Sequence, residues 1–464
     1  MQRHDFAAHL LGARETDRDC DLGNSGMRLA NPDNMTNLSE STPGDAESVV
    51  SSPISLPKMP IGNGGFDMLA GIRVLDLTTS IAGPFATMQL GDMGADIIKI
   101  ERPREGDDAR SWGPPFLNGE SLWFMSVNRN KRSVTLDYST PEGAKILREL
   151  ADACDVVVVN QPPRVARKLG VDAQSLRAGH ESLIHVSITG FGLEGERADW
   201  TCYDLIAEGY SGVMDLTGEA GGEPQKIGAP AADMLAGHDA AFAAVAALVS
   251  RGVTGKGRTI DVSLVESMTR FLGSRIVPFL GSGEAPRRSG GRDSVIAIYQ
   301  SFQTADEPIT LGLGNDNIWR RFWDAVDNPV FGKDPRFASN ALRRACREEI
   351  VARIQAIFLN HGRDHWLALL GKARIPAGPI NRIDEVAMDA ELQRRGLFYR
   401  LDTASGSIPQ VGTGFHIDGG ANSPRLPPPR LGEHTQAVLG GLLGMDESRL
   451  AALAEEGVIA GVKT

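Results

Sequence analysis

From Gly71 onward the chain repeats one pattern, in which a short run of apolar residues gives way to a helical stretch and then to another apolar run. Ile72–Leu77 reads as a buried strand. Gly83-Pro84 then opens a helical stretch that closes near Gly94, with proline at an early helical position. Asp96–Ile100 and Ser133–Leu136 read as the next strands. A helix from Thr140-Pro141-Glu142 to about Ala153 leads into the valine run Val156–Val159, and Leu183–Ile188 supplies a further strand. Strands that are apolar on both faces need helices on both sides, so the pattern predicts an α/β fold: a Rossmann-like domain around a parallel sheet.

Beyond that sheet the pattern loosens. Asp204–Leu216 and the Ala-rich Ala231–Arg251 read as long helices, Arg258–Val262 as a strand and Ser263–Leu272 as a helix. Residues 281–293 are rich in Gly and Arg and read as a loop. Ile309–Leu313, Ile318–Val326, Glu348–Phe358 and His365–Leu370 predict a smaller α+β segment. The Pro-rich Pro424–Pro429 precedes a last helical region from about Thr435. The expected organisation is a disordered acidic leader (1–68), the first part of the large domain (69–270), a linker with the small domain (271–390), and a C-terminal segment (391–464). The leader is assigned on its composition: Asp17, Asp19, Asp21, Asp33, Glu40, Asp45 and Glu47 sit among Ser, Asn and Gly, without apolar periodicity.

Charge and cysteine usage narrow the function classes. A formal net charge of −11 gives no support for nucleic-acid binding, so an anionic ligand needs a local basic site. The four cysteines lie far apart with no Cys-x-x-Cys, which argues against a disulfide framework or a thiolate metal site and fits reduced thiols in a cytoplasmic protein. No apolar run reads as a membrane span and no signal peptide is expected.

Several familiar reactive motifs are absent. After the first strand the chain runs Ser80-Ile81-Ala82-Gly83-Pro84, which is not the dinucleotide fingerprint, and no phosphate loop is present. His361 and His365 are four apart but lack the Glu of a zinc protease, so no metal site is expected. The nucleophile elbow of serine hydrolases is missing. Carboxylates remain as candidate reactive groups. Asp204 and Asp233 each stand at the start of a helical pattern, where a carboxylate either caps the helix or is held ionised as a nucleophile or base. Lys99, Arg102, Arg104, Arg129, Lys131 and Arg132 form two basic clusters, read either as solvated faces or as phosphate anchors at strand ends.

Eight stretches occur in a fixed order: Val74-Leu-Asp-Leu-Thr78 with Ala82-Gly-Pro84, Gly94-Ala-Asp-Ile-Ile-Lys-Ile-Glu-Arg-Pro103, Asn128-Arg-Asn-Lys-Arg-Ser133, Thr140-Pro-Glu-Gly143, Gly228-Ala-Pro-Ala-Ala-Asp233, Thr254-Gly-Lys-Gly257, Ile375-Pro-Ala-Gly-Pro379 and Leu431-Gly-Glu-His-Thr435. Together they resemble the class III CoA-transferase family, which includes formyl-CoA transferases, carnitine CoA-transferases and acyl-CoA racemases. The resemblance implies a large Rossmann-like domain built from both ends of the chain, a smaller domain, and two interlocked subunits. It implies Asp233 as the nucleophile that attacks an acyl-CoA thioester, giving an aspartyl anhydride and then an aspartyl-CoA thioester. It places Arg102, Leu136, Asn160, Lys168 and Tyr203 at CoA contacts. Coenzyme A and acyl-CoA are substrates on this reading, with a small carboxylic acid as acceptor and no permanently bound cofactor.

Two departures and two alternatives accompany the resemblance. Ile81 stands where formyl-CoA transferases carry a glutamine before Ala-Gly-Pro, and Pro162-Pro163-Arg164 replaces a glycine-containing turn. A racemase would use Asp204 with a histidine, but Gln174 stands near the expected place and His180 and His185 lie nearby. A non-catalytic CoA-binding protein is the third reading. Arg287, Arg288 and Arg292 flank Gly290-Gly291, which resembles a shortened active-site loop, and are candidates for recognising an acyl carboxylate.

Overall fold

The continuous apolar runs become one six-stranded sheet. In the computed structural model, which describes residues 54–62, 65–403 and 406–460, its strands are β1 (Arg73–Asp76), β2 (Asp96–Glu101), β3 (Lys131–Thr135), β4 (Val156–Val159), β5 (Ile184–Thr189) and β6 (Thr259–Ser263). They lie in the order β3-β2-β1-β4-β5-β6, with every pairing parallel. This is the doubly wound order, and the direction of winding reverses between β1 and β4.

Side chains alternate across the sheet, as the pleat requires. Val74, Ile97, Val156 and Val158 enter one apolar cluster, while Leu75, Ile98, Val157 and Val159 enter the other. The first face is covered by α1 (Ala82–Asp92), with the longer helix Ala231–Thr254 packed beside it. The second face is covered by α2 (Pro141–Asp152), to which the chain returns at its far end through helices Thr435–Leu443 and Glu447–Glu455. Buried Val438, Leu439, Leu450 and Leu453 therefore share a core with the first strand.

The remaining helices that bear on the site are α3 (Pro163–Leu169), α4 (Asp204–Ser211), α5 (Val213–Leu216), α6 (Ala231–Thr254) and α7 (Leu264–Phe271). A separate cluster built on Trp319, Phe322, Trp323, Phe358 and Trp366 packs against a three-stranded antiparallel sheet: β7 (Tyr299–Phe302), β8 (Ile309–Gly312) and β9 (Ala377–Pro379). A hairpin follows, β10 (Phe398–Thr403) and β11 (Gly406–Val411).

The structure departs from the sequence reading at identifiable places. The helix expected over Asp204–Leu216 breaks at Gly212, whose φ of +88° ends α4 in a left-handed cap. Gly273–Ser282 is helical although Gly and Pro residues obscure its pattern, and the hairpin carries Pro409, which interrupts the strand signal. Most of the leader, 1–53, lies outside the described residues, but its last part is built into the fold. Met59 N–H donates to the Arg400 carbonyl (3.0 Å), Arg400 N–H donates to Pro57 (2.9 Å), and Phe66 stacks on Phe415. Helix α6 is the one described helix long and apolar enough to cross a membrane by composition. Its alanines instead form a smooth buried edge against α1 and the sheet.

Candidate active site

The turn that follows β1 is fixed residue by residue. Thr78 N–H and its hydroxyl both donate to Asp76, and the Thr78 carbonyl accepts from Lys99 Nζ (2.8 Å). The Thr79 backbone makes a reciprocal pair with the Asn160 amide, N–H to Oδ1 at 3.1 Å and Nδ2 to O at 2.9 Å. Ser80, at a strained φ of +70°, donates its N–H to Asp107 Oδ1 (2.9 Å). Gly83 permits the fold-back, because any Cβ there would lie 2.3 Å from Thr78 Cβ.

Beneath this turn runs a chain of buried charges. Lys131 Nζ meets Asp76 at 3.0 Å and Lys99 Nζ meets Asp107 at 2.8 Å, with all four side chains inaccessible. Burial opposes the charge on Asp76, yet Lys131, Lys99 and the hydroxyls of Thr78 and Thr87 hold its carboxyl down at about 2. Burial and neighbouring Lys99 bring Lys131 to about 8 against the pull of Asp76. Burial is also overcome at Lys99, where Asp107, Asp76 and Glu101 raise the ammonium group above its ordinary value.

Above the turn opens a cavity of about 210 Å³ at the carboxyl ends of β1, β4 and β5, where the winding reverses and α/β folds bind ligands. Thr79, Ser80, Asn160, Pro162, Thr189, Gly190, Trp200, Cys202, Tyr203 and Asp233 are among its lining residues. Asp233 enters from the first turn of α6. Gly237, one turn on, lets α6 approach α1 closely, since a Cβ there would lie 2.5 Å from the Ala82 carbonyl.

The two candidate aspartates have different work. Neither α4 nor α6 is capped by the side chain of its own N-cap residue. Asp204 instead reaches across to α6, where its Oδ1 accepts from the N–H of Ala232 (2.8 Å) and of Asp233 (3.2 Å). The backbone donors expected at both aspartates are therefore spent on Asp204. Burial, reinforced by the negative charge of Asp204, pushes the Asp233 carboxyl up to about 7. A half-buried carboxylate at the mouth of a cavity, without a cationic partner among the described residues, can act as a nucleophile near neutral pH.

The structure gathers some of the expected contact residues and separates others. Asn160, Tyr203 and Asp233 share the cavity, and Tyr203 is 64% exposed. Arg102 is exposed and bonded to Asp108, which also lines the cavity. Lys168 stands in the last turn of α3, outside the lining, although Pro162 at that helix's N-cap is part of it. Leu136 has no accessible side chain and belongs to the core behind the sheet.

Most of the two basic clusters are neither solvated faces nor phosphate anchors. Lys99 and Lys131 are buried under the turn, Arg129 is buried in a pair with Asp92 of α1 (2.6 Å), and Arg132 pairs with Asp96 of the adjacent strand β2, so acidic partners brought close by the fold capture all four. Arg102 and Arg104 remain exposed. Arg288 Nη1 donates to both the carbonyl and the carboxylate of Asp215 (2.8 Å each), and Gly290 N–H donates to Gly218. His361 and His365 are exposed and stack on each other at 4.0 Å. No group of three potential metal ligands occurs among the described residues.

Three participants escaped the sequence reading. Asp107 follows the polar stretch Arg104-Glu105-Gly106 and reads as a solvated loop. Cys202, whose thiol burial pushes up to about 11 with Asp233 adding to the effect, carries no motif. Glu208 is fully buried one turn beyond Asp204; the four-residue spacing of two acids on one helix was the available signal.

Comparison with known proteins gives a consistent outcome. The model of CoA-transferase family III matches residues 69–435. The mouse protein named succinyl-CoA:glutarate CoA-transferase is 38% identical over 392 residues, 84% of this chain and 90% of that one. The Agrobacterium fabrum protein named succinate–glutarate CoA-transferase is 39% identical over 378 residues, 80% of this chain and 94% of that one. A solved CAIB/BAIF family protein from Brucella suis superposes with a TM-score of 0.72 at 37% identity, over 81% of this chain and all of that one.

Proposed function

The chain belongs to CoA-transferase family III, and from that premise we propose that it moves CoA from a short dicarboxylic acyl-CoA to a carboxylate acceptor through covalent intermediates on Asp233. The observation that carries this reading is the place of Asp233, in the cavity at the reversal of the sheet, where burial and the Asp204 charge raise its carboxyl.

The sequence of bonds follows from carboxylate and thioester chemistry. An Asp233 oxygen attacks the thioester carbonyl, the C–S bond breaks, and CoA leaves as a thiolate beside an acyl-aspartyl anhydride. The thiolate then attacks the aspartyl carbonyl and releases the donor acid, leaving aspartyl-CoA. The acceptor carboxylate attacks that thioester, expels the thiolate and forms a second anhydride. Attack of the thiolate on the acceptor carbonyl yields the new acyl-CoA and restores Asp233. Dividing the exchange in this way replaces one difficult step by several easier ones.

Arg102, Asn160, Lys168 and Tyr203 are the proposed CoA contacts, with Leu136 limited to its backbone. Asn160 contributes chiefly by clamping Thr79. Arg287 and Arg292, exposed and without an ion pair among the described residues, are proposed to meet the distal carboxylate of the acyl group. The racemase reading is less favoured: none of the residues lining the cavity is a histidine, and His185 is spent on the Val171 carbonyl (2.8 Å). On the transferase reading, residues 69–270 and 391–464 form the large domain and 271–390 the small one. Two subunits interlock, burying the apolar outer faces of α6 and its neighbours, where Phe242 is 72% and Val253 87% exposed.

The test is chemical trapping. The protein incubated with succinyl-CoA and quenched with hydroxylamine or borohydride is expected to carry its adduct on Asp233, and succinyl-CoA plus glutarate is expected to yield glutaryl-CoA. Undiminished turnover in Asp233→Ala overturns the mechanism. Exchange of an α-proton in deuterated water without an adduct would establish racemisation instead.

A further inference from the structure

Glu208 is a charged residue type with no access to solvent, on the inner face of α4 and one turn beyond Asp204. Its Oε2 accepts from the Ile227 N–H (2.9 Å). Its Oε1 is buried and meets no donor among the described residues, and the Glu208 carboxyl group lies within hydrogen-bonding reach of that of Asp204, four residues back on the same helix. Two carboxyl groups share such a contact only when a proton sits between them. Asp204 is already engaged as an acceptor for the two N–H groups that open α6, so the proton belongs on Glu208.

We propose that Glu208 is a positioning residue: protonated, it donates from Oε1 to the Asp204 carboxylate and so fixes the acceptor that holds the first turn of α6 and, with it, Asp233. The proposal rests on Asp233 being the nucleophile and adds a second role to the acid pair. A neutral Glu208 leaves one negative charge, rather than two, beneath the group that has to ionise.

The surroundings agree. Burial and the Asp204 charge both favour the protonated form of Glu208, against the Ile227 N–H and Lys226. The other charged groups on elements packed around it are turned elsewhere. Lys226 Nζ is bound to the Ile227 carbonyl, Asp215 of α5 to Arg288, and Arg270 of α7 to Asp239 of α6, while Glu266 of α7 is exposed.

The experiment uses Glu208→Gln, which keeps a donor and an acceptor but no charge, and Glu208→Leu, which keeps neither. Glu208→Leu is expected to lower kcat roughly tenfold or more, with little change in the KM for succinyl-CoA, because a displaced nucleophile costs rate rather than binding. Glu208→Gln is expected to recover most of that loss. Wild-type kcat in Glu208→Leu, or a Glu208→Gln variant as slow as the leucine form, overturns the proposal. Infrared spectroscopy gives a second readout should the leucine variant not fold. In an Asp233→Asn background, a protonated-carboxyl stretch at neutral pH is expected to disappear on adding Glu208→Gln, and its persistence overturns the proposal. Because that background lacks Asp233, the infrared result does not depend on acyl-enzyme trapping, and the two readings fail separately.

Discussion

Two clusters of acids, one fully buried and one partly so, lie on either side of the same turn, and they behave in opposite ways. Below it, Asp76 and Asp107 meet Lys131 and Lys99, so every buried charge has a partner of the other sign. Above it, Asp233, Asp204 and Glu208 meet, among the described residues, only backbone N–H groups and one another. Paired charge makes a rigid support, since breaking one ion pair strands its partner in a medium that cannot solvate it. Unpaired charge keeps a carboxyl poised between its two forms, which suits covalent chemistry at neutral pH. Carboxylate chemistry is common to both clusters, and the sign of the neighbours decides what it does.

The comparison breaks most visibly at Asp233. Asp233→Asn is expected to lower kcat about a thousandfold or more while leaving CoA binding within a few-fold, measured by glutaryl-CoA formation and by titration with CoA. The supporting cluster gives the converse outcome. Lys131→Met strands Asp76 and is expected to cost about 3–5 kcal/mol in denaturant unfolding, whereas a loss below about 1 kcal/mol would mean that the pair carries little.

A third outcome sets the two clusters against each other on one scale. Folding raises the Asp233 carboxyl, so between about pH 4 and pH 7 the folded chain binds more protons than the unfolded one and stability falls as pH rises. Asp233→Asn is therefore expected to be more stable than the parent by about 2 kcal/mol at about pH 8, with the gain gone by about pH 4. Asp76 runs the other way: its contribution is present above about pH 4 and is lost as the pH falls through about 2. The smallest effect concerns the acid limb of kcat, expected near pH 7 because Asp233 must be ionised to attack. Asp204→Asn removes a neighbouring negative charge and is expected to move that limb down by up to about one pH unit. An unmoved limb would assign the shift to burial alone.

Much of this architecture was legible in the residue pattern. Val156–Val159 could only be a strand covered on both faces, and Thr140-Pro141-Glu142 announced a helix start that the structure caps with the Thr140 hydroxyl, accepting from Gly143 N–H at 3.1 Å. Asp233 was legible through Gly228-Ala-Pro-Ala-Ala-Asp233 and the ordered stretches around it. The hairpin β10–β11 was not, because Pro409 interrupts its second strand and the buried face of that strand carries the polar Gln410. The fate of Lys99 and Lys131 was hidden as well, since nothing along the chain shows that Asp107, beyond the end of β2, folds back onto Lys99 or that Asp76 of β1 reaches Lys131 two strands away.

Periodicity and turn chemistry by themselves determined that this chain alternates strand with helix and winds a parallel sheet. These are local properties, written into runs of four to twelve residues. The tertiary structure decided which carboxyl groups were neutralised and which were left facing each other. Asp76 is separated by 55 residues from Lys131, and Asp204 by 29 from the Asp233 backbone it holds. A carboxyl group takes its character from charges and donors a few ångströms away, and only the folded chain sets those distances.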